Sequence, residues 1–447
     1  MSLANEIFSE LQKIPLYDIH THVDCSHMAA RGLDDIILYH MIVSELYAAG
    51  CPDGSRVPED RSEEEAIRRL ERAAPYFKYI QNSSLMWVAR TMLRDLYGWD
   101  EPVTEDNWRE IHELIRARNA QTDDLTRARE ICDQGNIERL VTELWRGRDG
   151  LGDELFQYSL EWAFFTRMQW GRNDAAIYEL ENAWSQETPG APLAVTATDE
   201  DLAKLPRIRT FEDLETAMKH YVEATPYDKL LYTATHYSSG YNYRRVSEEE
   251  MQRAFANREN ATVEDGEIYA NYLYRKYLDK LIESDSRIIQ VFSIGAEPLP
   301  YETSASLRSE TWGQLASMFA DYPEITFSAS LSLAHEGQEL NTLMRELPNL
   351  TAGACWWHNF FPSFMQRMIS ERLDMLPMNK HCLFFSDAYC IDWAYGKAFL
   401  TRKQIAEVLA KKVNEGQYTK ELAISIAKQI LSETPQTLMG MKPRSTN

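Results

Sequence analysis

Asp18-Ile19-His20-Thr21-His22 follows Pro15-Leu16-Tyr17 and sets two imidazoles two residues apart. A strand alternates faces with a period of two, so His20 and His22 project the same way from the end of a strand expected over 16–19. Two neutral imidazole nitrogens at short range can chelate a divalent ion. Taken alone, the pair fits two surface histidines equally well. Far along the chain, Asp387 follows the apolar run Leu383-Phe384-Phe385 and Ser386. A carboxylate in that setting is costly unless it is ionised and paired. Its ordinary alternative is a helix N-cap. In a closed parallel barrel the first and last strands are neighbours, which would bring His20, His22 and Asp387 onto one ion. Asp387 is then also the candidate general base. Two histidines and one carboxylate suit zinc, and manganese or iron(II) would fit as well.

Further candidates lie at other expected strand ends. His236, His335 and His358 could each add a ligand, a proton relay or a substrate hydrogen bond, or be satisfied loop histidines. Trp356 and Trp357 close a strand, so one should face the barrel mouth and the other the helices. An aromatic face in the mouth could pack on a sugar ring, and plain packing explains either residue as well. His40 lies on the apolar face of a helix expected over 33–47, where a core histidine is the ordinary reading.

The elements that must position these groups follow from periodicity. Residues 5–13 read as a helix leading into the first strand. From about 33 to 134 the pattern is helical throughout, with Gly50 and the turn Cys51-Pro52-Asp53-Gly54 as a break. This stretch reads as a helical insertion after the first strand. A second strand is expected over 137–144. The third is not placed: 151–168 could hold a helix and a strand, and 192–196 is an apolar run of strand type. From Lys229 onward strand, loop and helix repeat, with strands expected over 229–235, 288–294, 325–331, 350–355 and 382–385. That rhythm implies a parallel sheet with crossover helices. About eight units suggest an α/β fold, a (β/α)8 TIM-like barrel forming a single domain over 1–447, with its active site at the strand C-termini. An open doubly wound sheet is the alternative. No GxGxxG or GxxxxGK[ST] loop is present, which weakens a nucleotide-binding reading.

Composition narrows the partners. The net charge is −22, from 47 basic and 69 acidic residues, and argues against nucleic-acid or anionic-membrane binding. It leaves an anionic small substrate open, since that meets only the field of its pocket. No apolar run approaches the ~20 residues of a membrane helix. The six cysteines have no CxxC spacing, and the chain opens on no signal peptide. Reduced, mostly buried thiols and a cytoplasmic location are expected.

Together these stretches resemble the uronate isomerase family of the amidohydrolase superfamily. Four match in order: the H-x-H of 18–22, Leu38-Tyr39-His40, Gly353-Ala354-Cys355-Trp356-Trp357, and Ser386-Asp387-Ala388. The resemblance implies metal ligation by His20, His22 and Asp387. It places His40 over the site as a proton donor or substrate orienter, and Trp356, Trp357, His358 and Tyr389 around the substrate. It implies aldose–ketose isomerisation of a uronate or related sugar acid through an enediol, in a homo-oligomer. The superfamily's commoner chemistry, hydrolysis of an amide, ester or lactone, would use the same ligands. This chain departs from the family at four places. Met41 stands where the family has Tyr, and Tyr389 where it has Arg. Ser293 precedes Ile294-Gly295 where many members have His, and Glu297 or Pro298 replaces a basic residue. Arginine is the natural bidentate partner of a substrate carboxylate. Arg167, Arg172, Arg244, Arg245 and Arg308 are candidates to supply it from another loop.

Overall fold

The structure is a computed structural model. It describes residues 2–52, 62–147, 150–161, 172–193, 197–236, 243–284, 288–294, 309–354 and 358–444, without the side chains of 235, 236 and 358. Seven strands form one sheet in chain order: β1 (Leu16–Asp18), β2 (Ile137–Glu143), β3 (Phe156–Glu161), β4 (Leu230–His236), β5 (Ile289–Ile294), β6 (Phe327–Leu331) and β7 (Leu350–Ala352). Every pairing is parallel. All residues of β5 and β6 are buried, as expected when helices cover one face of a sheet and its curled interior the other. The third strand lies inside the aromatic stretch 151–168. The apolar run at 192–196 gives no strand at Pro192 and Leu193, and its last three residues fall outside the described ones.

The sheet curls. Tyr17 and Ile19, Val141, Tyr232 and Ala234, Ile289 and Val291, and Cys382 and Phe385 share one buried apolar cluster. These are side chains from opposite ends of the strand order, so the cluster is the inside of a barrel-like, TIM-like sheet. The expected strand over 382–385 is corrected in one respect. The chain there is extended but forms no regular ladder beyond a single bridge between Ala352 and His381. Cys382 N–H donates to Ala352 O (3.0 Å) on one side, and Ile19 N–H to Phe384 O (3.3 Å) on the other. The segment thus lies between β7 and β1. Its ladder is interrupted because Ser386 N–H donates to the Asp18 carboxylate (2.8 Å) instead of to a backbone carbonyl.

Between β1 and β2 the described residues are helical, from Leu33–Ile37 to Asp124–Gln134. The helix expected over 33–47 is two helices, Leu33–Ile37 and His40–Ala48, with the break at Leu38-Tyr39. Ser84–Tyr97 has Ser83 as its N-cap, accepting from Met86 N–H, and stops at Gly98, whose φ of 75° a side chain would resist. This helix lies against the long helix Ile391–Asn414. The approach needs Gly396, where a Cβ would sit 2.7 Å from Val88 Cγ1. Next to that glycine is Lys397. Five of the six cysteines are described, and all five are buried and in no disulfide, while Cys355 lies outside the described residues. Among the described residues no helix is long and apolar enough to cross a membrane.

Candidate metal centre

His20 and His22 leave the end of β1, and Asp387 enters from the segment beside it. The backbone zips them together: Asp387 N–H donates to His20 O (3.1 Å), and His22 N–H to Ala388 O (2.8 Å). The three donor atoms converge. His20 Nε2 and His22 Nε2 are 3.3 Å apart, and Asp387 Oδ1 lies 3.6 Å from the first and 3.2 Å from the second. A tetrahedral ion bound at about 2.05 Å requires donors about 3.4 Å apart. The residues present therefore fit a divalent ion. Asp387 sits at φ 55°, a left-handed conformation uncommon outside glycine and tolerated best by Asn and Asp. Strain of this kind persists where surrounding structure enforces it.

Two carboxylates from neighbouring strand ends complete the cluster. Glu143, the last residue of β2 and 1 % exposed, places Oε1 2.7 Å from His22 Nδ1. The other ring nitrogen, Nε2, thereby faces His20 and Asp387. Glu161, the last residue of β3, has Oε1 3.8 Å from His20 Nε2 and 3.9 Å from His22 Nδ1. Arg146, one turn past β2, brings Nε to 2.5 Å from Glu143 Oε2 in an ion pair. Neither glutamate nor Arg146 was among the residues expected from the sequence. Glu143 carried the same signal as Asp387, a carboxylate ending an apolar strand. Glu161 was hidden because its strand was not placed.

Electrostatics follow from burial. Burial disfavours a charged Asp387, but hydrogen bonds from His20 and His22 and the charges of His22 and Lys397 hold its carboxyl well below the usual range. Burial opposes a charged His22 too, but Glu143, Tyr389, Glu161 and Asp387 together raise its pKa well above the ordinary value. His40 is the reverse: burial, with Lys397 and His22, brings it down to about 3 against the pull of Asp387, so it stays neutral. Its Nδ1 is buried and finds no hydrogen-bond partner among the described residues. Asp18, fully buried, is pushed by burial up to about 7 despite hydrogen bonds from Ser386 and His20.

Beside the three candidate ligands, Tyr389 packs its ring on His22 (centroids 5.0 Å) and lies 5.3 Å from His40. His40 opens its helix directly after Tyr39, whose ring is 4.3 Å away. A cleft lined by His40, Tyr39, Tyr389, Leu38, Asp34 and Arg69 reaches this face. Met41 is buried. His335 is solvent-exposed on the turn after β6 and joins no cluster of possible ligands among the described residues. His236 ends β4, but its side chain, that of His358, and Trp356 and Trp357 lie outside the described residues. So do Arg167 and Arg308. Arg172 is paired with Asp174 and Asp199, Arg244 with Glu250, and Arg245 with Asp321.

No family model matches the sequence, and no curated protein matches it. Solved structures do match. A uronate isomerase from Thermotoga maritima has 14 % identity and a TM-score of 0.73, over 98 % of this chain and 97 % of its own. The glucuronate isomerase from Caulobacter crescentus has 15 % identity and a TM-score of 0.76, over 99 % and 95 %. A protein provisionally assigned as a metal-dependent hydrolase, from Lactobacillus casei, has 12 % identity and a TM-score of 0.59, over 97 % of both chains. The resemblance read from four short stretches is thus matched by a likeness of fold to uronate isomerases along nearly the whole chain.

Proposed function

We propose that the protein is a metal-dependent aldose–ketose isomerase acting on a uronate or related sugar acid, a divergent relative of the uronate isomerases. The single observation that carries this is the convergence of His20, His22 and Asp387 beneath His40, in a fold similar end to end to those enzymes. The reading includes a single eight-unit barrel, with 382–388 in the place of the last strand and the helices between β1 and β2 as an insertion. It also includes a cytoplasmic homo-oligomer. Zinc is the proposed ion, given the donor set and spacing.

The ion would be held by His20, His22 and Asp387, with Glu161 as a further ligand within reach, and when bound it polarises the substrate carbonyl and stabilises negative charge on that oxygen. The chain's own residues divide the remaining work. Glu143 fixes the His22 tautomer. Asp387, ionised throughout the working range, takes the proton from the carbon beside the carbonyl and returns it to the neighbouring carbon. His40 stays neutral and can donate its ring N–H to a substrate oxygen while accepting at the other nitrogen. Tyr389 and Tyr39 wall the cleft and exclude water. Arg146, about one-fifth exposed beside Glu143, has further N–H groups to offer a substrate carboxylate in place of the arginine absent from position 389. The test is proton NMR in D2O, with zinc- or manganese-loaded protein and D-glucuronate, D-galacturonate or their keto forms. Appearance of the partner sugar supports the reading, and unchanged spectra with metal bound refute it.

A second reading is favoured by Tyr389 and by the likeness to the Lactobacillus casei protein: hydrolysis of an amide, ester or lactone, with Asp387 taking a proton from the attacking water. Hydrolysis releases acid and isomerisation does not, so pH-indicator assays separate the two.

A further inference from the structure

Lys397 carries an amino group buried to 1 % exposure on the helix Ile391–Asn414. Burying an ammonium is expensive, and a methionine would fill the same volume without that cost. Its contacts are specific. Nζ lies 2.7 Å from Tyr39 Oη, donates to the Ser386 carbonyl, and sits 3.9 Å from the centre of the Phe360 ring. Tyr39 Oη passes the chain on, donating to the Asp387 carbonyl at 2.8 Å. The carbonyls on both sides of the Asp387 α-carbon are therefore held by one lysine nitrogen, Ser386 O directly and Asp387 O through a phenol. These are the two peptide units whose orientations define the left-handed backbone at Asp387. Tyr39 is also the N-cap of the helix that His40 begins, and its ring stacks on Trp393 at 4.5 Å. One network thus ties the loop carrying Asp387 to the helix end carrying His40.

We propose that Lys397, acting through Tyr39, is a positioning residue: it enforces the Asp387 backbone and the placing of His40 over it, and so sets metal affinity from a site where it touches neither ion nor substrate. This rests on the reading of His20, His22 and Asp387 as the metal centre. The lysine is retained because two adjacent carbonyl dipoles need a donor that can serve one directly and polarise the hydroxyl serving the other.

The test uses the full-length protein as wild type, Lys397→Met and Tyr39→Phe. Cobalt(II) and zinc affinities are measured by competition with a chromophoric chelator. The visible absorption of the cobalt form is recorded, because its intensity reports coordination geometry and is not moved by a purely structural loss elsewhere. Thermal unfolding and circular dichroism of the metal-free proteins check the fold. Lys397→Met is expected to bind metal 10- to 100-fold more weakly, the range for loss of an outer-sphere partner, with an altered cobalt spectrum. Tyr39→Phe, which deletes one oxygen, should move both readouts in the same direction by less, and it decides the matter if Lys397→Met does not fold. Wild-type affinity and spectrum in the folded variants would overturn the inference and leave the metal centre standing. Failure of the wild type to bind either ion would overturn the metal centre, and the inference with it.

Discussion

Glu143→Gln is the sharpest test of how the site is built. Glu143 is fully buried and has a partner for each oxygen: Oε1 is 2.7 Å from His22 Nδ1, and Oε2 is in an ion pair with Arg146, 2.5 Å from its Nε. Glutamine keeps the shape but replaces one acceptor by an NH2 group. If its oxygen faces His22, the NH2 meets the Arg146 guanidinium, donor against donor. If it faces Arg146, the NH2 meets His22 Nδ1. The imidazole must then carry its proton on Nε2, the nitrogen that points at His20 and Asp387. Either arrangement removes the negative charge that makes His22 a basic ligand. Loss of such a partner weakens metal binding 10- to 100-fold, which is about 1.4–2.7 kcal/mol. The assay is zinc competition against a chelating indicator at neutral pH, with unfolding of the metal-free variant followed in parallel. Zinc affinity within threefold of wild type in a folded variant would refute the reasoning, because it would mean that Glu143 neither fixes the tautomer nor tunes the ligand.

Two further outcomes can be measured directly. His40→Gln should leave zinc stoichiometry intact while turnover of the sugar acid falls by roughly 10²–10⁴-fold, the usual weight of a positioned proton donor. Equal activity of the two proteins would remove His40 from the reaction. Asp18→Asn tests burial: the folded-state pKa is raised to about 7 above an ordinary value near 4, so the native state takes up a proton in between. The contribution of Asp18 to stability is therefore complete below about pH 4 and lost as pH rises through about 7. Relative to wild type, Asp18→Asn should gain on the order of 3 kcal/mol of stability between pH 5 and pH 8 in denaturant titrations. The asparagine keeps Oδ1, which accepts from Ser386 and His20 N–H, so a flat difference across that range would show that Asp18 is ionised in the fold.

Local sequence specified a good deal here. Period-two spacing after an apolar approach placed His20 and His22 on one side, and an apolar run before Asp387 marked it as a carboxylate at a strand end. The repeat of strand and helix after Lys229 fixed the parallel architecture, because amphipathic helices and fully apolar strands write their partners into their own pattern. The helix over Phe211–Ala224 is closed at its start by a Thr210–Asp213 capping box, a signal contained in four residues. These are properties of residues within a few positions of each other.

Tertiary structure decided what depends on distance along the chain. Glu143 and His22 are separated by 121 residues, and Lys397 reaches Tyr39 across 358, so no window of sequence contains both partners. Phe156–Glu161 contains Gln157, Tyr158 and Ser159 in place of an unbroken apolar run, so its strand character comes from pairing with β2 and β4 on either side. A lysine at one helix position reads as solvent-facing until the helix is packed through Gly396 onto its neighbour and the ammonium is swung under Asp387. The sequence alone marked His20, His22 and Asp387 as candidate ligands and missed Glu161. The curl of the sheet, with a carboxylate in place of a backbone acceptor and a buried lysine against a strained loop, determined that they meet.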